Sequence, residues 1–160
     1  MAHPLRWTIR ASAVALPSVL AAVLLSGMFA EPASARNTRY LLKIEEVKQD
    51  PRYAENVPGD VAFYFAGQSH PDPQTSYGEV VTNRKGNSFG RPDEEACRWT
   101  MISALKALHD RALEEGGDAV INIVSYYRKQ IYSSESEYEC HAGAFVSGVA
   151  LKGTVVKLGK

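Results

Sequence analysis

Residues 92–127 read PDEEACRWTMISALKALHDRALEEGGDAVINIVSYY, and the fold turns on this stretch. Pro92 suits the opening of a helix, where a missing N–H costs nothing, and Asp93, Glu94 and Glu95 oppose the positive end of the helix dipole. Cys97, Met101, Ala104, Leu105, Leu108 and Ala112 recur at three- and four-residue spacing. That spacing predicts one apolar stripe facing a core, with Cys97 inward in the first turn. Gly116-Gly117 stops the helix. Ala119–Tyr127 follows at once, with Ile121 and Ile123 on one face and Val120, Val124 and Tyr126 on the other. Apolar residues on both faces predict a central strand.

Upstream, Val61–Ala66 is a short β-branched and aromatic run bounded by turn residues, which predicts a strand. Gly67–Tyr77 holds two prolines and reads as a loop, so Gly78–Asn83 is expected to pair with that strand. Tyr40–Val47 is ambiguous between helix and strand. A helical turn is expected within Glu45–Val57, with Pro51 near a helix start after Asp50 and Pro58-Gly59-Asp60 as the stop. Downstream, Arg128–Glu139 interleaves serines with glutamates and reads as an exposed loop. His141–Leu158 reads as one β region in which Gly143, Gly148 and Gly153 mark bulges and let the helix approach closely.

Arg6 and Arg10 precede an apolar run from Ala11 to Ala30 that ends in Ala33-Ser34-Ala35, the order of a secretory signal. We expect a cleaved signal peptide over 1–35 and a single domain over 36–160, of ordinary domain size. No cysteine lies near the cut, so a lipid-modified N-terminus is not expected. Removing Arg6, Arg10 and Glu31 takes the 18 basic and 18 acidic residues to 16 and 17, a formal charge of −1. With no basic excess or clustered patch, nucleic acid is not an expected partner. No stable membrane insertion is expected once the signal is cut.

Cys97 and Cys140 are the only two cysteines, and in an exported chain they read as a structural disulfide. A closed loop of about 44 residues would contribute about 4 kcal/mol by chain-entropy arithmetic. A reactive Cys140 beside His141 is the sharper alternative, but consecutive strand residues point to opposite faces. A Cys-His hydrolase would also need an orienting group and an oxyanion site, for which no motif is found, and only a pocket joining His141 or His109 to an acid would favour an enzyme. His70, His109 and His141 match no metal-ligand spacing. Gly86–Pro92, the nearest approach to a phosphate loop, lacks the lysine. No catalytic residue, cofactor or metal ligand is therefore assigned. Tyr126, Tyr127, Tyr132 and Tyr138, gathered around the acidic loop, are the candidate partner surface.

Four runs, Asp93–Trp99, Gly116–Ile123, Tyr138–Ala144 and Gly148–Gly153, resemble a family of small exported proteobacterial proteins often labelled "excinuclease ATPase subunit". The resemblance covers nearly the whole expected mature chain. The nucleotide loops, zinc modules and cytoplasmic address that such a label needs are not found in the sequence. More distantly, the order of helix, Gly-Asp-Ala-Val strand, cysteine loop and Gly-Ala-rich strand is similar to the YbjQ-like heavy-metal-binding domains. It is also similar to the envelope-stress sensor lipoprotein of the Rcs phosphorelay. In that sensor a cysteine ahead of the helix bonds to one in the loop after the next strand, so the resemblance implies a Cys97–Cys140 staple and an α+β layout. The sensor's second disulfide and lipid anchor have no counterpart here.

The expected fold is thus α+β: a small sheet packed on one long helix, with a strand-strand-helix-strand-strand core and one disulfide. The expected function is a non-catalytic periplasmic binding or interaction module, related to envelope stress and partnered by another envelope protein, without ATPase or nuclease activity. The alternative is a periplasmic protein that binds a metal or small ligand and assembles as the homo-oligomer that YbjQ-like domains suggest.

Overall fold

The computed structural model of the chain describes residues 36–159, and the expected signal over 1–35 lies outside the described residues. In chain order come strand β1 (Thr38–Lys43), the short helices α1 (Ile44–Lys48) and α2 (Pro51–Asn56), and strands β2 (Ala62–Phe65) and β3 (Pro73–Asn87). Helix α3 (Asp93–Glu114) follows, then strands β4 (Ala119–Ser125), β5 (Glu137–Ala142) and β6 (Val146–Leu158). One six-stranded sheet results, with α3 laid across one face, and the described residues belong to one compact α+β unit. No described helix is long and apolar enough to cross a membrane.

Strand β6 organises the sheet. It pairs antiparallel with β3 along its whole length on one edge, while its other edge pairs first with β5 and then with β4. Strand β1 adds outside β5, and β2 adds parallel outside β4. The expected pairing of β2 with Gly78–Asn83 is therefore corrected. A parallel pair needs a long crossover, and β3 with α3 supplies it between β2 and β4. β3 is also far longer than its sequence pattern suggests. The long edge of β6 orders it, and most of its side chains stay exposed, so inward alternation marks it only around Val80 and Thr82.

The core sits between α3 and the sheet. Every residue of the predicted stripe is buried, with Pro92 just before the first helical residue and the three acids in the first turn. The Cys97–Cys140 disulfide forms there, its Cα atoms 5.9 Å apart, and ties the start of α3 to β5. α2 begins as read: Asp50 caps it by accepting from Arg52 N at 3.0 Å, and Pro51 takes the first turn.

Three local readings are corrected. Asn122 has φ 54°, a left-handed residue that breaks the alternation of β4. Val120 and Ile123 thus share the helix-side core, while Ile121 joins Ala119 and Val156 on the other face. Gly153 makes room for this bulge, since a Cβ there would lie 2.7 Å from Val120 Cγ1 and 3.1 Å from Ile123 Cγ1. The expected exposed loop ends early, because Glu137, Tyr138 and Glu139 already belong to β5. Their acids disguise a period-two pattern whose inward set is Tyr138, Cys140 and Ala142. Finally, the single β region from His141 is a hairpin, turning at Gly143–Phe145. Close approach to α3 occurs not at its glycines but at Gly86 of β3, where a Cβ would strike Thr100 Oγ1.

Candidate functional site

Burying Tyr138, Cys140 and Ala142 beneath α3 obliges Glu139 and His141 to face the opposite side of the sheet. Strand register then builds a row across that side: Arg39 opposite His141, His141 opposite Gly148, and Gly148 opposite Lys85. Only Gly148 contributes no side chain to the row. The gap becomes the floor of a cleft of about 720 Å³. Tyr127 and His141 stand on the β5 side, Asn83 and Lys85 on the β3 side, and Phe145 and Val146 at the hairpin end. A Cβ built on Gly148 would meet nothing nearer than 4.0 Å, so packing does not demand glycine there.

His141 is held from two directions. Its ring stacks on Tyr127 with centroids 3.6 Å apart and planes 12° from parallel. Its Nε2 lies 2.8 Å from Glu139 Oε1, the same oxygen that accepts from Arg39 Nε at 2.9 Å. Glu139 is buried, so its charge is balanced by Arg39 and, when protonated, by His141. His141 Nδ1 is buried without a hydrogen-bond partner. Because both clefts on this face include Tyr127 and His141, the stacked pair acts as a partition. On its far side a cleft of about 390 Å³ is lined by Arg39, Ile131, Tyr132 and Glu139 among others. There the Arg39 guanidinium sits 5.2 Å from the Tyr132 ring centroid, and Tyr132 donates to Glu137 Oε2 at 2.8 Å. That hydrogen bond to a carboxylate raises the Tyr132 pKa.

The larger cleft is one-sided in charge. Arg36, Lys85 and Arg128 line it and no Asp or Glu does. Arg36 is already engaged in a two-pronged ion pair with Asp93, whose other donor is the Tyr40 hydroxyl at 2.7 Å. These donors hold the Asp93 carboxyl at about 2. Among the described residues Lys85 and Arg128 take part in no ion pair. Arg128 lies over the Tyr127 ring at 5.4 Å, on a turn where Arg128 and Lys129 both adopt left-handed backbone, φ 51° and 64°. Such conformations cost about 1 kcal/mol or more each for residues with a Cβ, and they collect at functional loops.

The predicted residues are distributed unevenly about this site. Tyr127 is half of the partition and Tyr132 lines the smaller cleft beside it; Tyr126 lies apart, beneath Lys152 Nζ at 5.5 Å. Tyr138 is fully buried, so its place on a partner surface is corrected: strand alternation turns it into the core. Both cysteines are in the disulfide and none is free. His109 is joined to acids, Nε2 to Asp60 at 2.7 Å and Nδ1 to Asp110 at 3.1 Å, but it is buried and lines neither cleft. His70 is on the Pro-rich loop, tilted against Tyr64. Among the described residues no group of three or more His, Cys, Asp or Glu is placed to hold a metal ion. His141 does meet an acid, Glu139, in the wall of the smaller cleft, which is the kind of pocket an enzyme reading asks for, and among the described residues no hydroxyl or thiol bonds its Nδ1. Sequence reasoning missed Arg39, Lys85, Gly148 and Glu139, which only the register brings together. The available signal was the alternation Glu137-Tyr138-Glu139-Cys140-His141. Compared with known proteins, the chain matches no family model, no curated protein and no solved structure.

Proposed function

We propose that the protein is a non-catalytic binding module of the periplasm whose small ligand occupies the cleft floored by Gly148. The observation that carries this reading is the missing side chain in the row Arg39, His141, Gly148, Lys85, at a position where packing leaves room for one. A solvated sheet face with nothing to bind would gain β propensity from Val or Thr there. The buried Glu139–His141 pair and the left-handed turn at Arg128 support the same reading, since each carries a cost the fold does not otherwise need.

The test is native mass spectrometry of the protein purified from the periplasm, beside a Gly148→Val variant. The expected result is a stoichiometric small-molecule adduct on the wild type, absent from a variant that melts no lower. An adduct retained by Gly148→Val would remove the cleft from consideration. A second reading, a protein partner, is favoured by a separate observation. β3 is a fifteen-residue strand paired on one edge only among the described residues, an open template for an added strand. A second copy of this chain or another envelope protein would dock there, and a Pro placed at an outward N–H of β3 would abolish the complex.

A further inference from the structure

We infer that the ligand of this cleft is a single-headed anionic amphiphile, a carboxylate on an alkyl chain, with its head beside Lys85 and Arg128 and its chain laid over Val146 toward Phe145. The inference rests on the cleft being the ligand site and adds the chemistry of the occupant. The head is set by charge. Lys85 on β3 and Arg128 on the facing turn line the cleft, make no ion pair among the described residues, and meet no acid in its walls. A cation would therefore be repelled, while an anion would recover the two charges.

The chain is set by what adjoins the head. At the hairpin end Phe145 stacks on Phe89 with centroids 5.5 Å apart and planes 6° from parallel, and each residue is 66% exposed. Val146 beside them is 49% exposed. Three large apolar side chains held open together at a cleft mouth form a patch that gains by being covered. A simple inorganic anion would leave that patch and most of a 720 Å³ space empty. A peptide is disfavoured by the floor. It is the face of paired strands, whose N–H and C=O groups are engaged in the ladders of β3, β6 and β5, so an occupant there finds no backbone partners. An alkyl chain asks for none.

The experiment is calorimetric titration of the oxidised mature protein with dodecanoate and dodecyltrimethylammonium, each below its micellar concentration, and with acetate. Dodecanoate is expected to bind one to one, and the other two not to bind measurably. Lys85→Gln should weaken dodecanoate about tenfold, the size of one charge-assisted contact. Phe145→Ser should weaken it comparably, and Gly148→Val should abolish it while melting no lower than the wild type. Equal binding of the cationic and anionic chains, or binding of acetate as tight as dodecanoate, would overturn the inference. Failure of dodecanoate while a stoichiometric non-amphiphile co-purifies and is lost in Gly148→Val would also overturn it, yet leave the cleft standing. Dodecanoate binding that Gly148→Val leaves unchanged would overturn both readings.

Discussion

Tyr138 and Glu139 are neighbours in sequence that face opposite sides of the sheet, and their polar atoms are treated in opposite ways. The Tyr138 hydroxyl is buried without a partner, and burial pushes its pKa well above the tyrosine range. An unpaired buried hydroxyl costs free energy, whereas the ring fills core volume. Tyr138→Phe should therefore be neutral or stabilising by up to about 1 kcal/mol. Tyr138→Ala should cost about 3–5 kcal/mol for the cavity it leaves. Urea titration of both variants checks this, and a loss above about 1 kcal/mol in Tyr138→Phe would mean that the hydroxyl has a partner. Glu139 is buried too, but Arg39 and His141 both bond one of its oxygens. Removing it strands those donors, so Glu139→Ala should cost about 1.5–3 kcal/mol in the same titration. A variant as stable as the wild type would show that this carboxylate contributes nothing net, as buried ion pairs sometimes do.

At the scale of elements, β6 contains the clearest contrast. Gly153 and Gly148 lie five residues apart in one strand, but a Cβ at Gly153 collides with Val120 and Ile123, while one at Gly148 meets open space. Gly153→Ala should destabilise by about 1–3 kcal/mol through overpacking. Gly148→Ala should be neutral or gain a few tenths of a kcal/mol, because the unfolded chain loses freedom. Thermal melts of the two variants separate a packing glycine from one that keeps a cleft open; equal losses would refute the distinction. The disulfide is the other element-scale device, closing α3 onto β5 across 43 positions of sequence. The double variant Cys97→Ala/Cys140→Ala should lose about 4 kcal/mol or less, and a loss below about 1 kcal/mol would mean that the unfolded chain is already compact. Legibility followed the same division. α3 was readable because its stripe, acidic first turn and double glycine act within one segment. β3 was not, because it turns only Val80 and Thr82 fully inward along fifteen residues and owes its length to β6. The bulge in β4 was hidden because a left-handed Asn leaves no mark in an apolar run. The candidate site was the least readable of all. Its row joins β1, β5, β6 and β3, and a shift of one residue in any pairing would have dispersed it.

The whole molecule closes on itself near the start of the described chain, and that closure carries a charge dependence. Arg36 and Tyr40 reach Asp93 at the first turn of α3, binding β1 to the helix that also anchors the disulfide. Asp50, capping α2, is bonded by Arg52. Each carboxyl is held at about 2 against an ordinary value of 3.8, chiefly by its arginine hydrogen bonds, with the Tyr40 hydroxyl second at Asp93. A folded-state pKa below the unfolded one means that the unfolded chain binds protons first as acid is added. The stabilisation is thus fully present above about pH 4 and is lost as pH falls through about 2. Unfolding free energy from urea titration should be level in its Asp93 and Asp50 contributions from neutrality to about pH 5, then fall toward about pH 2. Asp93→Asn removes one of the two groups, so the variant should be less stable at neutrality yet show a shallower acid slope. Raising the salt concentration should reduce the difference, since Arg36 is exposed and its field is screened. If the variant retained the wild-type slope, the Arg36–Asp93–Tyr40 contact would not persist in solution. β1 would then be held to the molecule by its ladder with β5, the Arg39–Glu139 contact and the packing of Tyr40 and Leu42 on the core.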